Sequence, residues 1–221
     1  MKVYAQYFEL DGISYRLNTI LQFGDSWELL GNVVLANPGS AEPIKEIDAT
    51  KINQLQSFYK NFENRNFDGK NWYEFNDDAT MQRIEKVFNG WYVNSSDTIE
   101  LNGVIQLFNT FNVKNQNLTE SIEKLPPDND ILFSLGIEKY FNDKPTYFGF
   151  SNDVLYDDRL RLIAENIFNN SSSIVKTVYN KEFDKNSFYH PTFINRSYKR
   201  DFFQKYMENV LKPFQKLIKE N

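Results

Sequence analysis

Leu29-Leu30-Gly31-Asn32-Val33-Val34-Leu35-Ala36 is an apolar run that stops abruptly at Asn37-Pro38-Gly39-Ser40. A run without polar alternation reads as a strand buried on both faces, which is how parallel strands between helical layers read. Such a strand delivers its polar exit loop to the carboxyl edge of a sheet, where open α/β folds bind their ligands. Pro38 fixes its own φ and Gly39 permits a positive one, so the chain can turn sharply beside a bound group. Taken alone, Asn-Pro-Gly is also an ordinary turn.

Three further stretches repeat the pattern. Residues 103–110, 146–150 and 173–179 read as short apolar strands, and the first two end in Asn109 and in Ser151-Asn152-Asp153. Between them, helical spacing predicts helices over 49–62, 78–91, 118–124, 129–141, 155–169 and 198–219, with Asp77-Asp78-Ala79-Thr80 capping the second. Residues 3–9 and 13–22 flank Asp11-Gly12, a two-residue hairpin signal. Strand–helix alternation predicts an α/β fold of three layers, α/β/α: a central four-stranded parallel sheet plus an N-terminal antiparallel hairpin. The 221 residues are enough for one such domain over 1–221. The segment 44–76, apart from its helix, reads as a long surface loop.

Composition removes several chemistries. Cysteine is absent, which excludes thiolate nucleophiles, disulfides and zinc–thiolate sites, and a single histidine, His190, excludes multi-histidine metal centres. No metal and no cofactor are expected. No apolar run reaches membrane-spanning length and Met-Lys-Val-Tyr-Ala-Gln lacks a signal-peptide core, so the expectation is a cytoplasmic monomer without membrane contact. The net charge of −5 divides unevenly: residues 176–221 carry +5 and the remainder −10. That distribution reads either as a solvated basic helix or as one basic surface on an acidic body.

Right-handed parallel connections place every strand's carboxyl end on one edge. Asn37, Asn109, Asn152 and His190 each follow a predicted strand and should converge there. An asparagine offers both a donor and an acceptor to the edge of a planar heterocycle, and a histidine can donate to a developing anion.

The order Asn37-Pro38-Gly39, Gln106-Leu107-Phe108-Asn109-Thr110, Phe148-Gly149-Phe150-Ser151 and His190-Pro191-Thr192-Phe193-Ile194 resembles the uracil-DNA glycosylase superfamily. The first motif resembles the mismatch-specific branch, and the later ones the Leu-Leu-Asn-Thr and His-Pro-Ser of the classical branch. The chain also resembles an uncharacterised bacterial family with an Asn-Pro-Ser-Thr-Ala motif and an Asp-x-Thr helix start, here Asp78-Ala79-Thr80. The resemblance, over about residues 30–203, implies excision of a base from DNA through an extruded nucleotide. Asn37 would hold the attacking water and His190 would donate to a base carbonyl. Asn109 would bond the base edge, with Gly39, Phe108 and Asn152 lining the base site. Ile194 would enter the emptied stack with Phe193 as its neighbour on the DNA-binding side, while Arg196, Lys199 and Arg200 would grip phosphates. The classical branch carries an aspartate where Asn37 stands, and an amide cannot act as a general base, so catalysis would rest on positioning and electrostatics.

Two other readings remain open. A non-catalytic member of the same fold would bind a nucleobase, a nucleotide or a nucleic-acid end. A nucleotide hydrolase would use Asp77, Asp78, Asp157 and Asp158 with Mg²⁺, although those acids read better as helix caps.

Overall fold

The computed structural model describes residues 1–62, 67–123, 125–126 and 131–220. Asp11 and Gly12, both at positive φ, turn strand β1 (Lys2–Leu10) back into β2 (Ile13–Phe23) as an antiparallel hairpin. Strand β3 (Leu29–Leu35) is the expected buried strand. It pairs in parallel with β6 (Gly103–Asn109) on one side and β7 (Thr146–Phe148) on the other, with Leu35 opposite Asn109 and Val33 opposite Tyr147. Two short strands, β4 (Pro43–Glu46) and β5 (Trp72–Phe75), extend the other end. The sheet is therefore mixed and seven-stranded, in the order β4-β5-β1-β2-β6-β3-β7, where a four-stranded parallel core was expected.

Alternation along the strands sends successive side chains into opposite layers. Tyr4, Ile20 and Val104 pack with Leu55, Phe58 and Tyr59 of α1 (Ala49–Phe62), while their neighbours Ala5, Leu21 and Ile105 enter the main core. On β7, Tyr147 packs edge-on against Phe214 of the C-terminal helix Lys212–Glu220, and Phe148 packs against Phe168 of α5 (Asp158–Asn170). Helices thus cover both faces. The segment 44–76 is part of this architecture, because β4, β5 and α1 extend and cover the sheet; residues 63–66 of the expected loop lie outside the described residues.

Helix α2 (Ala79–Phe88) begins as expected, with Asp78 Oδ1 accepting the amides of Thr80 and Met81 at 2.9 Å each. Helix α3 (Leu118–Glu123) is short, and position 124 of the predicted helix is outside the described residues. The expected helix over 129–141 is replaced, where described, by turns, a bridge from Phe133 to Phe111 and a 3₁₀ turn at Ile137–Tyr140. The start of that expected helix, at residues 129–130, lies outside the described residues. The predicted 155–169 helix divides into α4 (Asn152–Tyr156) and α5, because Asp157 takes the amide of Leu160 and caps a second start.

The fourth strand is absent from the sheet. Residues 173–179 form turns and a 3₁₀ turn, burying Val175, Val178 and Tyr179 while Ile174 is exposed. That i, i+3, i+4 spacing is helical, and it overrides the β propensity of Ile-Val-Lys-Thr-Val. The outer edge of β7 is closed by a side chain instead: the amide of Phe148 donates to the Tyr179 hydroxyl at 2.9 Å. The long C-terminal helix is also interrupted. A 3₁₀ turn at Asp201–Phe203 and one α turn at Gln204–Tyr206 lead to a π turn over Met207–Leu211 before the final helix. Pro213 has no amide hydrogen to give the carbonyl four residues back, and the wider turn directly precedes it.

Tyr179→Phe leaves the buried Phe148 amide without an acceptor, so it is expected to cost about 1–3 kcal/mol. Urea unfolding measures the loss, and faster hydrogen exchange at Phe148 locates it. Unchanged exchange there would show that the hydroxyl does not hold this edge.

Candidate functional site

The parallel strands end side by side, and their exit loops are fastened to one another. Thr110 donates its amide and its hydroxyl to the carbonyl of Leu35, at 2.8 and 2.9 Å, and the Phe111 amide bonds the carbonyl of Ala36. The Asn37 Nδ2 then reaches the carbonyls of Asn115 (2.9 Å), Pro38 (3.2 Å) and Val113 (3.4 Å). Of the two ends of the amide only the NH₂ donates, so a set of carbonyls fixes the orientation of the group. Asn37 Oδ1 has no hydrogen-bond partner among the described residues, which leaves an acceptor on a half-buried side chain.

Above this edge lies a cleft of about 740 Å³. Asn37, Gly39, Asn109, Asn152, His190, Phe193 and Arg196 all line it, so seven residues singled out from the sequence share one cavity. Asn109 is 2 % exposed, and its Oδ1 is buried without a hydrogen bond among the described residues. An orphaned acceptor of this kind costs stability unless a ligand or water satisfies it.

His190 is placed by a short helix, α6 (Pro191–Ser197), in a stretch for which the spacing predicts no helix. Pro191 starts that helix and His190 caps it, its Nδ1 accepting the Thr192 amide at 3.2 Å. An Nδ1 that accepts carries no hydrogen, so the neutral ring holds its proton on Nε2 as a donor. Burial, together with the nearby Arg83 cation, pushes the imidazole pKa down to about 4, against the opposing pull of Asp78 and Asp153. The ring is neutral at physiological pH. Behind it, the Tyr147 hydroxyl donates to the carbonyl of Tyr189 and meets the Tyr206 hydroxyl at 2.7 Å, tying the histidine's segment to β7.

The other expected residues lie elsewhere. Phe108 alternates with the cleft-facing Leu107 and Asn109, and it packs against Phe141 with ring centroids 5.7 Å apart. Ile194 is fully buried on the inner face of α6 with Pro191 and Ser197, so it cannot enter a base stack; its neighbour Phe193 is 43 % exposed. Lys199 and Arg200 are exposed but do not line the cleft.

Two residues join the site that the sequence reading did not place in it. Arg16 of β2 lines the cleft although it is 1 % exposed. Asp78 lines it too: Oδ1 caps α2, and Oδ2 lies 3.1 Å from where a Cβ on Gly39 would stand, with no hydrogen bond of its own among the described residues. A signal for Asp78 was present in its Asp-x-Thr setting, whereas Arg16 sits in an alternating strand and carries none. Asp157 and Asp158 are spent on α5, as cap and as partner of Arg161. Among the described residues no group of three potential ligands could hold a metal ion, and no helix is long and apolar enough to cross a membrane. Comparison with protein-family models, with curated proteins and with solved structures gave no match.

A folded pKa below the ordinary 6.5 means that the unfolded chain takes up its proton first as the pH falls. The stability carried by the neutral ring is therefore complete above about pH 6.5 and drains away towards pH 4. The single histidine ring is expected to titrate by NMR with its midpoint near 4, and His190→Asn should lessen the acid sensitivity between those values. A midpoint near 6.5 would show a solvated imidazole. Asn109→Leu removes the orphaned acceptor at similar volume and is expected to raise stability in urea, by about 1 kcal/mol, while weakening ligand binding.

Proposed function

We propose that the cleft receives a nucleobase, and that the protein is a DNA glycosylase-like hydrolase acting on the N-glycosidic bond of an extruded nucleotide. The observation that carries this reading is the meeting of Asn37, Asn109 and His190 in one cavity at the carboxyl edge of β6, β3 and β7. Asn37 Oδ1 accepts from the attacking water. The unsatisfied Asn109 amide bonds the base edge. His190 gives the leaving base a neutral N–H donor, which stabilises the charge that develops as the bond breaks. Asp78 brings to the Gly39 loop the carboxylate that Asn37 is not, and its unbonded Oδ2 takes up the water's proton as oxygen bonds to the sugar carbon. The cleft volume is within the range of small-ligand sites and has room for more than the base alone. Lys185 and Arg196 on its lining, with exposed Lys199 and Arg200 beyond, offer charge to a DNA backbone.

Burial of Ile194 favours a second reading, a binding protein of the same chemistry without turnover, because the side chain expected to wedge into the stack lies in the core and only its neighbour Phe193 reaches the cleft. The deciding experiment is abasic-site cleavage of single- and double-stranded oligonucleotides bearing uracil, mismatched thymine or modified bases. The expected result is excision that falls at least about 100-fold in His190→Ala and in Asp78→Asn, the latter keeping a good helix cap. Ligand-dependent thermal stabilisation with no excision of any base would support the binding protein. Excision indifferent to both substitutions would overturn the assigned roles.

A further inference from the structure

The cleft holds a cation for which recognition of a base has no use. Arg16 presents five N–H donors, yet among the described residues its side chain makes one long hydrogen bond, from Nη1 to the carbonyl of Ala41 at 3.5 Å. Its Cζ stands 5.6 Å from the centre of the Phe75 ring. Among the described residues Nε is buried without a partner, and no carboxylate forms an ion pair with this guanidinium. Asp78 and Glu42 act on it only through space; burial lowers its pKa to about 10, so it remains charged at neutral pH.

A guanidinium taken out of water without a counter-ion is unfavourable, and natural proteins pair such charges. No other arginine lines the cleft from a buried position: Arg196 is exposed at its mouth. The free edge of Arg16, Nε with the adjoining amino group, is the planar fork that matches two oxygens of one anion. We infer that Arg16 is the receptor for an oxyanion carried by the cleft's ligand, a phosphate or a carboxylate held by Nε and its neighbouring amino group. Asp78 and Asp153 line the same cavity and oppose the anion, while Lys185 and Arg196 favour it. The proposed function enters only in the choice of what the anion is attached to; the anion site itself rests on Arg16.

The probes separate the two sources of the oxyanion. Uracil is compared with orotate, its carboxylated form, and uridine with uridine 5′-monophosphate, each by calorimetry on the full chain, with inorganic phosphate alone as a further arm. The expected result is that one charged member binds roughly tenfold or more tighter than its neutral partner, in a salt-dependent way. Arg16→Gln abolishes that difference and leaves the neutral ligand's affinity in place, and Arg16→Lys recovers part of it. Should the variants fail to fold, the wild-type chain still reports. A slowly exchanging arginine Nε–H resonance must shift when the charged probe is added and stay still with the neutral one. Equal binding of charged and neutral partners overturns the anion site and leaves the nucleobase reading standing. Phosphate binding at Arg16 with no response to any nucleobase does the reverse. If no probe binds at all, both are overturned.

Discussion

The carbonyl of Leu35 is the point on which the site depends. It takes two hydrogen bonds from Thr110, one from the amide and one from the hydroxyl, just where β3 and β6 finish. Because both strands are parallel and end there, their polar exits leave together, and the amide of Asn37 can then bond the carbonyls of the neighbouring loop. The cleft is what this fastening leaves open above the sheet. A buried, doubly used acceptor is also a rigid one, which suits a loop that must present Asn37 Oδ1 in one direction.

Within this frame the chemistry divides between neutral and charged groups. Asn37, Asn109 and His190 are uncharged at neutral pH, His190 because burial and Arg83 disfavour its protonated form. Around them stand Arg16, Asp78 and Asp153, close enough to influence one another but, among the described residues, not paired as ion bridges. Polar groups left unsatisfied in a folded core are destabilising, and proteins tolerate them where a ligand completes the set.

The parallel centre was legible because residues 29–36 and 103–108 are apolar apart from Asn32 and Gln106 and lead into Asn37 and Asn109. So were the hairpin, written in Asp11-Gly12, and the start of α2, written in Asp78. Residues 173–179 misled because β-branched side chains outweighed their i, i+3, i+4 burial, which becomes visible only once the surface is known. Strands β4 and β5 are four residues each; β5 owes its existence to the edge of β1, a partner remote in sequence, and β4 in turn to β5. Seven of the eleven expected site residues reached the cleft. Phe108 did not, through the two-residue period of its own strand; Ile194 did not, because α6 turns it inward. Arg16 was invisible for the opposite reason: an arginine in an alternating strand reads as a solvent-facing residue.

The stacked rings of Tyr189 and Tyr206, with centroids 3.9 Å apart and nearly parallel planes, carry a meaning beyond their packing. Tyr206 belongs to the irregular segment ahead of Pro213, and its hydroxyl shares the Tyr147 phenol that also holds the carbonyl next to His190. The imidazole is thus moored to the tail of the chain as well as to the sheet. A departure of that tail would slacken the mooring, so the C-terminal segment is part of the scaffolding that keeps the donor aimed.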